Sequence, residues 1–110
     1  MSTTLDISKF GLVISDQKIG NDILLQIEKS LKVERPVVVD FRNVKSMATF
    51  CAKQIFGYLY LKLTPEKFYD SIVFKDVNDD LKVLIKIGIQ NAIEEGEGNL
   101  THESRVSSVC

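Results

Sequence analysis

Residues 36–41 read Pro-Val-Val-Val-Asp-Phe, and this short run constrains the fold more than any other stretch of the chain. Consecutive β-branched side chains are stiff at χ1 and suit a pleated surface. No polar residue alternates with the valines, a pattern that predicts a strand covered on both faces, as in a parallel sheet. Parallel neighbours cannot be joined by a tight turn; each needs a crossover, usually a helix. The flanking segments supply such crossovers. On the amino side, Ile19, Ile23, Ile27 and Leu31 recur every fourth residue with Leu24 beside them. They predict an amphipathic helix over residues 17–32, capped by Ser15 or Asp16. Gly20 falls in its first turns, where close packing on the sheet would explain it. On the carboxyl side, Ile55, Leu59 and Leu63 repeat at the same spacing, with Phe56 and Tyr60 alongside. They predict a helix over residues 50–63, softened near Gly57 and ended by Pro65.

Three further strands are expected: Thr3–Ile7 from its alternation, Gly11–Ser15, and Ser71–Lys75. The first two suggest a hairpin around Lys9–Gly11, which would give the sheet an antiparallel edge. A third helix is predicted over residues 79–95, from Leu81, Leu84, Ile85, Gly88 and Ala92, with Asn78 or Asp79 as its cap. Asp79 and Asp80 at its start complement the helix dipole. From Gly96 onward the chain has no period and few apolar residues, so 1–95 is expected to be one domain and 96–110 a disordered tail. Strands alternating with helices argue for a mostly parallel sheet with right-handed crossovers.

With 110 residues the chain has room for one domain, and a hydrophobic fraction of 45% is enough to build its core. Net charge is −1 with both signs interspersed, which gives no basic footprint for nucleic acid and no basic amphipathic face for a membrane surface. No apolar run approaches the ~20 residues of a membrane span. The first ten residues lack a basic segment followed by an apolar one, so a cytoplasmic location is expected. Cys51 lies within an apolar helical pattern and reads as a buried free thiol, with a Cys51–Cys110 disulfide as the alternative.

Chemistry-bearing residues are sparse. His102 is the one histidine and lies in the tail, and the two cysteines are far apart, so neither a metal site nor a cofactor is expected. No glycine-rich phosphate loop or nucleophile elbow is present. Asp79 and Asp80 are neighbours on a helix and point to different sides, so they do not read as a catalytic pair. Lys82 and Lys86 read as a solvated helix face. An enzyme is not expected. Asp40 is the one charge in its strand and sits at the carboxyl end, where ligands gather in open α/β sheets. It is expected to leave the core and hydrogen-bond the following loop, supporting it.

The stretch "VVVDFRNVKSMATFCA" resembles the core of STAS domains, named for sulfate transporters and anti-sigma factor antagonists. Asp40, Phe41, Val44 and Met47 fall on matching positions of the strand–loop–helix pattern. The closer resemblance is to the STAS-like family of unknown function, in which a Phe follows the loop hydroxyl, here Thr49-Phe50. "IFGYLY" and "NDDLKVLIKIGIQNAI" also look like that family, and the likeness covers about residues 10 to 95. It implies an α/β fold with a STAS-like mixed, mostly parallel sheet of about four strands and about three helices. It also implies a non-catalytic regulatory domain that binds a protein, of the histidine-kinase-like ATPase or anti-sigma-regulator type. The binding surface would be the loop and helix start at 45–54, with Lys45, Ser46, Met47, Phe50, Lys53 and Gln54 as contacts and Asp40 as support. Thr49 is the candidate phosphoacceptor; the alternative is that it only caps the helix. Here the chain departs from the signalling pattern: the preceding acid is Ala48, the usual phosphoacceptor position is Phe50, and the following glycine is Cys51. Two other readings stay open. One, implied by the resemblance because STAS-related domains can bind nucleotides or lipids, is a small-molecule sensor, for nucleotides above all, with a pocket near Asp40 and Thr49; the other is a homodimeric scaffold.

Overall fold

The computed structural model describes residues 3–105, with side chains through residue 95. The sheet contains β1 (Thr3–Asp6), β3 (Val37–Asp40) and β5 (Ile72–Lys75), with β3 in the middle. A second ribbon pairs β2 (Val13–Ile14) with β4 (Ser46–Met47). Every strand pair among the described residues is parallel, so the expected antiparallel hairpin edge is not formed. The segment between β1 and β2 is instead a 3₁₀ turn, Ile7–Phe10, ending at Gly11 with φ 146°. Asp6 starts that turn by accepting from the Ser8 amide at 2.9 Å and the Ser8 hydroxyl at 2.6 Å. The hydroxyl is the main reason that the Asp6 carboxyl lies below its ordinary value. Among the described residues the strands therefore number five, in two sheets of three and two, where about four in one sheet are expected.

The helices also differ from expectation. α1 (Gln17–Val33) is capped by Asp16, whose carboxylate accepts from the Lys18 amide at 2.9 Å. α2 (Thr49–Ala52), a π-helical segment (Lys53–Gly57) and α3 (Tyr58–Leu63) form one continuous helical rod. α4 (Pro65–Ser71) was not expected. Pro65 does end the preceding rod, but its fixed φ also suits the first position of a new helix. α5 (Asp79–Arg105) starts at Asn78, whose side chain accepts from the Leu81 amide at 2.8 Å. Its backbone continues past Glu95, since propagation needs only one further bond per residue once a helix is nucleated. Of the expected tail, residues 96–105 thus continue this backbone, and 106–110 lie outside the described residues.

The sheet is covered on one face rather than two. Register aligns Thr3, Val37 and Ile72, then Leu5, Val39 and Phe74, on the helix side. The alternate row is Thr4, Val38 and Val73, and Val73 is 42% exposed while Val37 and Val39 are fully buried. A run of three valines is compatible with either arrangement, because period-2 alternation still sends the middle one outward.

The core fills the space between the sheet and the helices. Phe41, Phe56 and Phe74 stack there, with Phe56 and Phe74 ring centres 5.2 Å apart edge to face. Phe68 joins them from α4, 6.2 Å from Phe74. The central rod and α5 meet backbone to backbone. A Cβ placed on Gly88 would come within 2.6 Å of the Lys53 amide nitrogen and 2.8 Å of the Ala52 carbonyl carbon. A Cβ on Gly57 would reach 2.6 Å from the Ala92 methyl. The π segment sits at this contact, where backbone meets backbone. Gly20 is buried too, but its neighbours are Gln54 and Cys51 of the rod, not the sheet as expected.

Candidate functional site at the start of the central rod

The segment between β3 and the rod is held at both ends. At its start the Asp40 side chain, 6% exposed, accepts from the Arg42 amide at 2.9 Å and from the Arg42 guanidinium at 3.3 Å. Arg42 also faces Asp76 at 3.7 Å, which ties the ends of β3 and β5 together. Asp40 thus hydrogen-bonds the next loop, as its place in the strand predicts, but it stays buried instead of leaving the core, because the loop residue it bonds folds back over it. Further along, the Lys45 amide donates to the Leu12 carbonyl at 2.8 Å and the Ala48 amide to the Ile14 carbonyl at 2.7 Å. The expected loop is therefore partly a strand, β4, fixed in register by β2.

The rod begins at Thr49, and its N-cap is Ala48, with no side chain capping it. The alternative role of Thr49 as cap is corrected: the extended backbone belongs to Ala48 (φ −69°, ψ 145°), and Thr49 already lies inside the helix. An alanine at this position forgoes the ~1 kcal/mol that a Ser, Thr, Asp or Asn cap supplies. The Thr49 hydroxyl, half-buried, makes no hydrogen bond within the described residues.

Placement of the other expected contacts is mixed. Lys45 and Ser46 are exposed on β4. Met47 is 3% exposed and packs in the core, which corrects its reading as a surface contact: alternation along β4 sends it inward when Ser46 points out. Phe50 is 52% exposed, so of its two readings, core or surface anchor, it is at the surface. Lys53 pairs with Glu95 of α5. The Gln54 side chain donates to the Gln17 carbonyl at 3.0 Å, while its Oε1 is buried without a hydrogen-bond partner.

Two further residues, not expected from the sequence, join this surface. Tyr58 and Leu61 are 45% and 50% exposed, and with Phe50 they edge one open groove of about 560 Å³ whose floor includes Gln54 and Ala92. Their signal is present in the chain: 50, 54, 58 and 61 follow helical spacing. It was masked by the stronger buried stripe of Ile55, Phe56 and Leu59 on the same rod. Lys62, one turn after Tyr58, donates to Glu28 of α1 at 2.6 Å, and that carboxylate holds the ammonium above its ordinary pKa.

The site offers few reactive groups. Cys51 is free and fully buried, its Sγ donating to the Asp16 carbonyl at 3.6 Å. Burial, then the charge of Asp16, pushes the thiol up, so it stays protonated and is not a nucleophile at neutral pH. Cys110 lies outside the described residues. Among the described residues no group of three or more His, Cys, Asp or Glu could hold a metal ion, and no helix is long and apolar enough to cross a membrane.

No curated protein and no solved structure matches the chain. Residues 20–82, more than half of the chain, match the family model described as a STAS-like domain of unknown function (DUF4325). That stretch runs from the first turns of α1 to the start of α5 and takes in the central strand, the Asp40 turn and the whole rod. The chain belongs to this family of STAS-like domains.

Proposed function

We propose that the chain is a non-catalytic regulatory domain that binds a protein partner through the start and outer face of the central rod. The observation that carries this reading is the row of Phe50, Tyr58 and Leu61, each about half exposed on one groove. Large apolar side chains gathered in this way mark interaction surfaces, and aromatic ones make effective anchors. Lys45, Ser46, Lys53 and Gln54 form the polar surroundings, and Met47 and Asp40 hold the segment from below. The resemblance to anti-sigma factor antagonists favours a histidine-kinase-like ATPase, or a regulator of that type, as the partner. The test is a comparison of baits. A partner captured by the wild-type chain should be retained by Val33→Ala, since Val33 is 81% exposed on α1 and outside the groove. It should bind at least tenfold more weakly to Phe50→Ala, the loss expected for a central anchor worth ~2 kcal/mol.

Control by phosphorylation at Thr49 is part of this proposal. The γ-phosphoryl group of ATP would pass to Thr49 Oγ1, with ADP leaving and the hydroxyl proton taken up by a base of the kinase. The product adds about −1.5 to −2 charges beside Phe50, which opposes burial of that anchor under a partner. Intact mass after incubation with the captured ATPase and ATP should rise by one phosphate, and Thr49→Ala should abolish the rise. An unchanged wild-type mass leaves a constitutive binding module.

A further inference from the structure

The outer face of α5 carries an apolar stripe that stays exposed among the described residues. Val83, Ile87, Gln90 and Glu94 follow at helical spacing and all are exposed, opposite the buried Leu81, Ile85, Gly88 and Ala92. Val83 is 54% exposed and Ile87 42%, and Tyr69 of α4, 61% exposed, shares an open groove with Ile87. That groove, about 390 Å³, also takes in Tyr60 and Ile93. Val83 lies outside its lining, one turn nearer the start of the helix. One copy of the chain thus holds both a projecting apolar side chain and a recess of matching character.

Charge along this face is divided. Lys82 and Lys86 stand one turn apart in its first half, and Glu94 stands in its second. None of the three has an ion-pair partner among the described residues. Glu94 accepts a hydrogen bond from the neutral Gln90 side chain at 3.2 Å. Asp79 and Asp80, in the first turn, lie beyond this stretch. A face that is basic at one end, apolar in the middle and acidic at the other is complementary to itself turned end for end.

We propose that the chain forms a two-fold dimer in which α5 of each copy packs antiparallel on α5 of the other. With the axis at the level of Gly88, Lys82 lies level with Glu94 of the second copy, Val83 with Ile93, and Lys86 with Gln90. Each Val83 then enters the other copy's groove between Tyr69 and Ile93, and each Glu94 meets the other copy's lysines. A parallel pairing would instead set lysine against lysine. The overlap from Lys82 to Glu94 is roughly 18 Å long. A contact of this size lies at the low end of specific interfaces, so a micromolar dissociation constant is expected. The groove at Phe50, Tyr58 and Leu61 shares no lining residue with this one. Both copies therefore keep that surface free, and the dimer is independent of the partner-binding reading.

The test is sedimentation equilibrium of the full chain, which should show a reversible monomer–dimer equilibrium. Charge reversal of either half, Lys82→Glu with Lys86→Glu, or Glu94→Lys alone, should weaken self-association at least tenfold, because each sets like charges together twice per dimer. Mixed with one another, the two variants should associate at least as tightly as wild type, since one copy then presents an acidic face and the other a basic one. Val83→Ser should weaken the dimer, and Phe50→Ala should leave it unchanged. The substituted side chains are exposed, so the fold should survive. A circular dichroism melt like that of wild type, recorded where the wild type is monomeric, verifies this. A monomeric mass at every concentration up to about 1 mM, where even a weak pair would form, overturns the proposal. It is equally overturned if the charge-reversed variants self-associate like wild type, if their mixture does not associate, or if Phe50→Ala abolishes the dimer.

Discussion

Phe56→Ala is expected to destabilise the domain by about 3–5 kcal/mol, the largest single effect in the fold. Phe56 is fully buried and meets both Phe41, from the end of the central strand, and Phe74, from the edge strand. Truncation therefore removes the transfer free energy of the ring and leaves a cavity between layers that the sheet and rod can close only in part. It also removes two ring contacts worth ~0.5–1.5 kcal/mol each beyond their area. Domains of this size have roughly 5–15 kcal/mol of stability to lose. Urea unfolding should show a lowered midpoint with an unchanged slope, the signature of lost stability with the same surface exposed. A midpoint within error of wild type would mean that the rod does not pack on the sheet through Phe56.

The second large effect concerns a residue with no side chain. Gly88→Ala should gain up to ~1 kcal/mol of helix propensity, and at an open site that would stabilise. Here the new methyl would meet the backbone of Lys53 at 2.6 Å and of Ala52 at 2.8 Å, atoms that cannot rotate away. Overpacking of this kind costs typically 1–3 kcal/mol, and an obstacle that is backbone, unable to rotate away, puts the cost in the upper part of that range, about 2–3 kcal/mol. A net destabilisation of about 1–2 kcal/mol follows from the difference of these two terms, or a drop in Tm of several degrees. Gly20→Ala is the internal control. Its methyl would meet the end of the Gln54 side chain, which can swing outward, so the propensity gain and the lost Gln54 contact nearly cancel. If Gly88→Ala proves as mild as Gly20→Ala, α5 and the rod are further apart than described.

Elements are legible in the sequence where periodicity and capping chemistry agree. The stripe of Ile19, Ile23, Ile27 and Leu31, with Asp16 before it, located α1 to within a residue. The place of Asp40 as the one charge at the carboxyl end of its strand located the turn that its carboxylate closes. Failures came where one signal has two physical meanings. Three valines in a row looked doubly covered, yet Val38 and its neighbours Thr4 and Val73 form the outer row of a one-sided sheet. Pro65 predicts a stop, yet proline also starts helices, as it does for α4. Ser46 and Met47 are too short a pair to announce a strand, and only their bonding partner on β2 reveals one. At the candidate site the hydroxyls and charges were legible because their chemistry is visible residue by residue. Tyr58 and Leu61 were not, since an apolar residue at helical spacing looks the same whether it faces the core or the solvent.

The central claim is that Phe50 and its neighbours on the rod form the contact surface for a protein partner. The most direct measurement is the dissociation constant of the captured partner for wild type, Phe50→Ala, Tyr58→Ala and Val33→Ala, with each variant's Tm recorded beside it. The account predicts at least a tenfold weakening for Phe50→Ala, a loss in the same direction for Tyr58→Ala, no change for Val33→Ala, and wild-type Tm throughout. Equal affinity across all four proteins would contradict it and move the interface elsewhere on the domain.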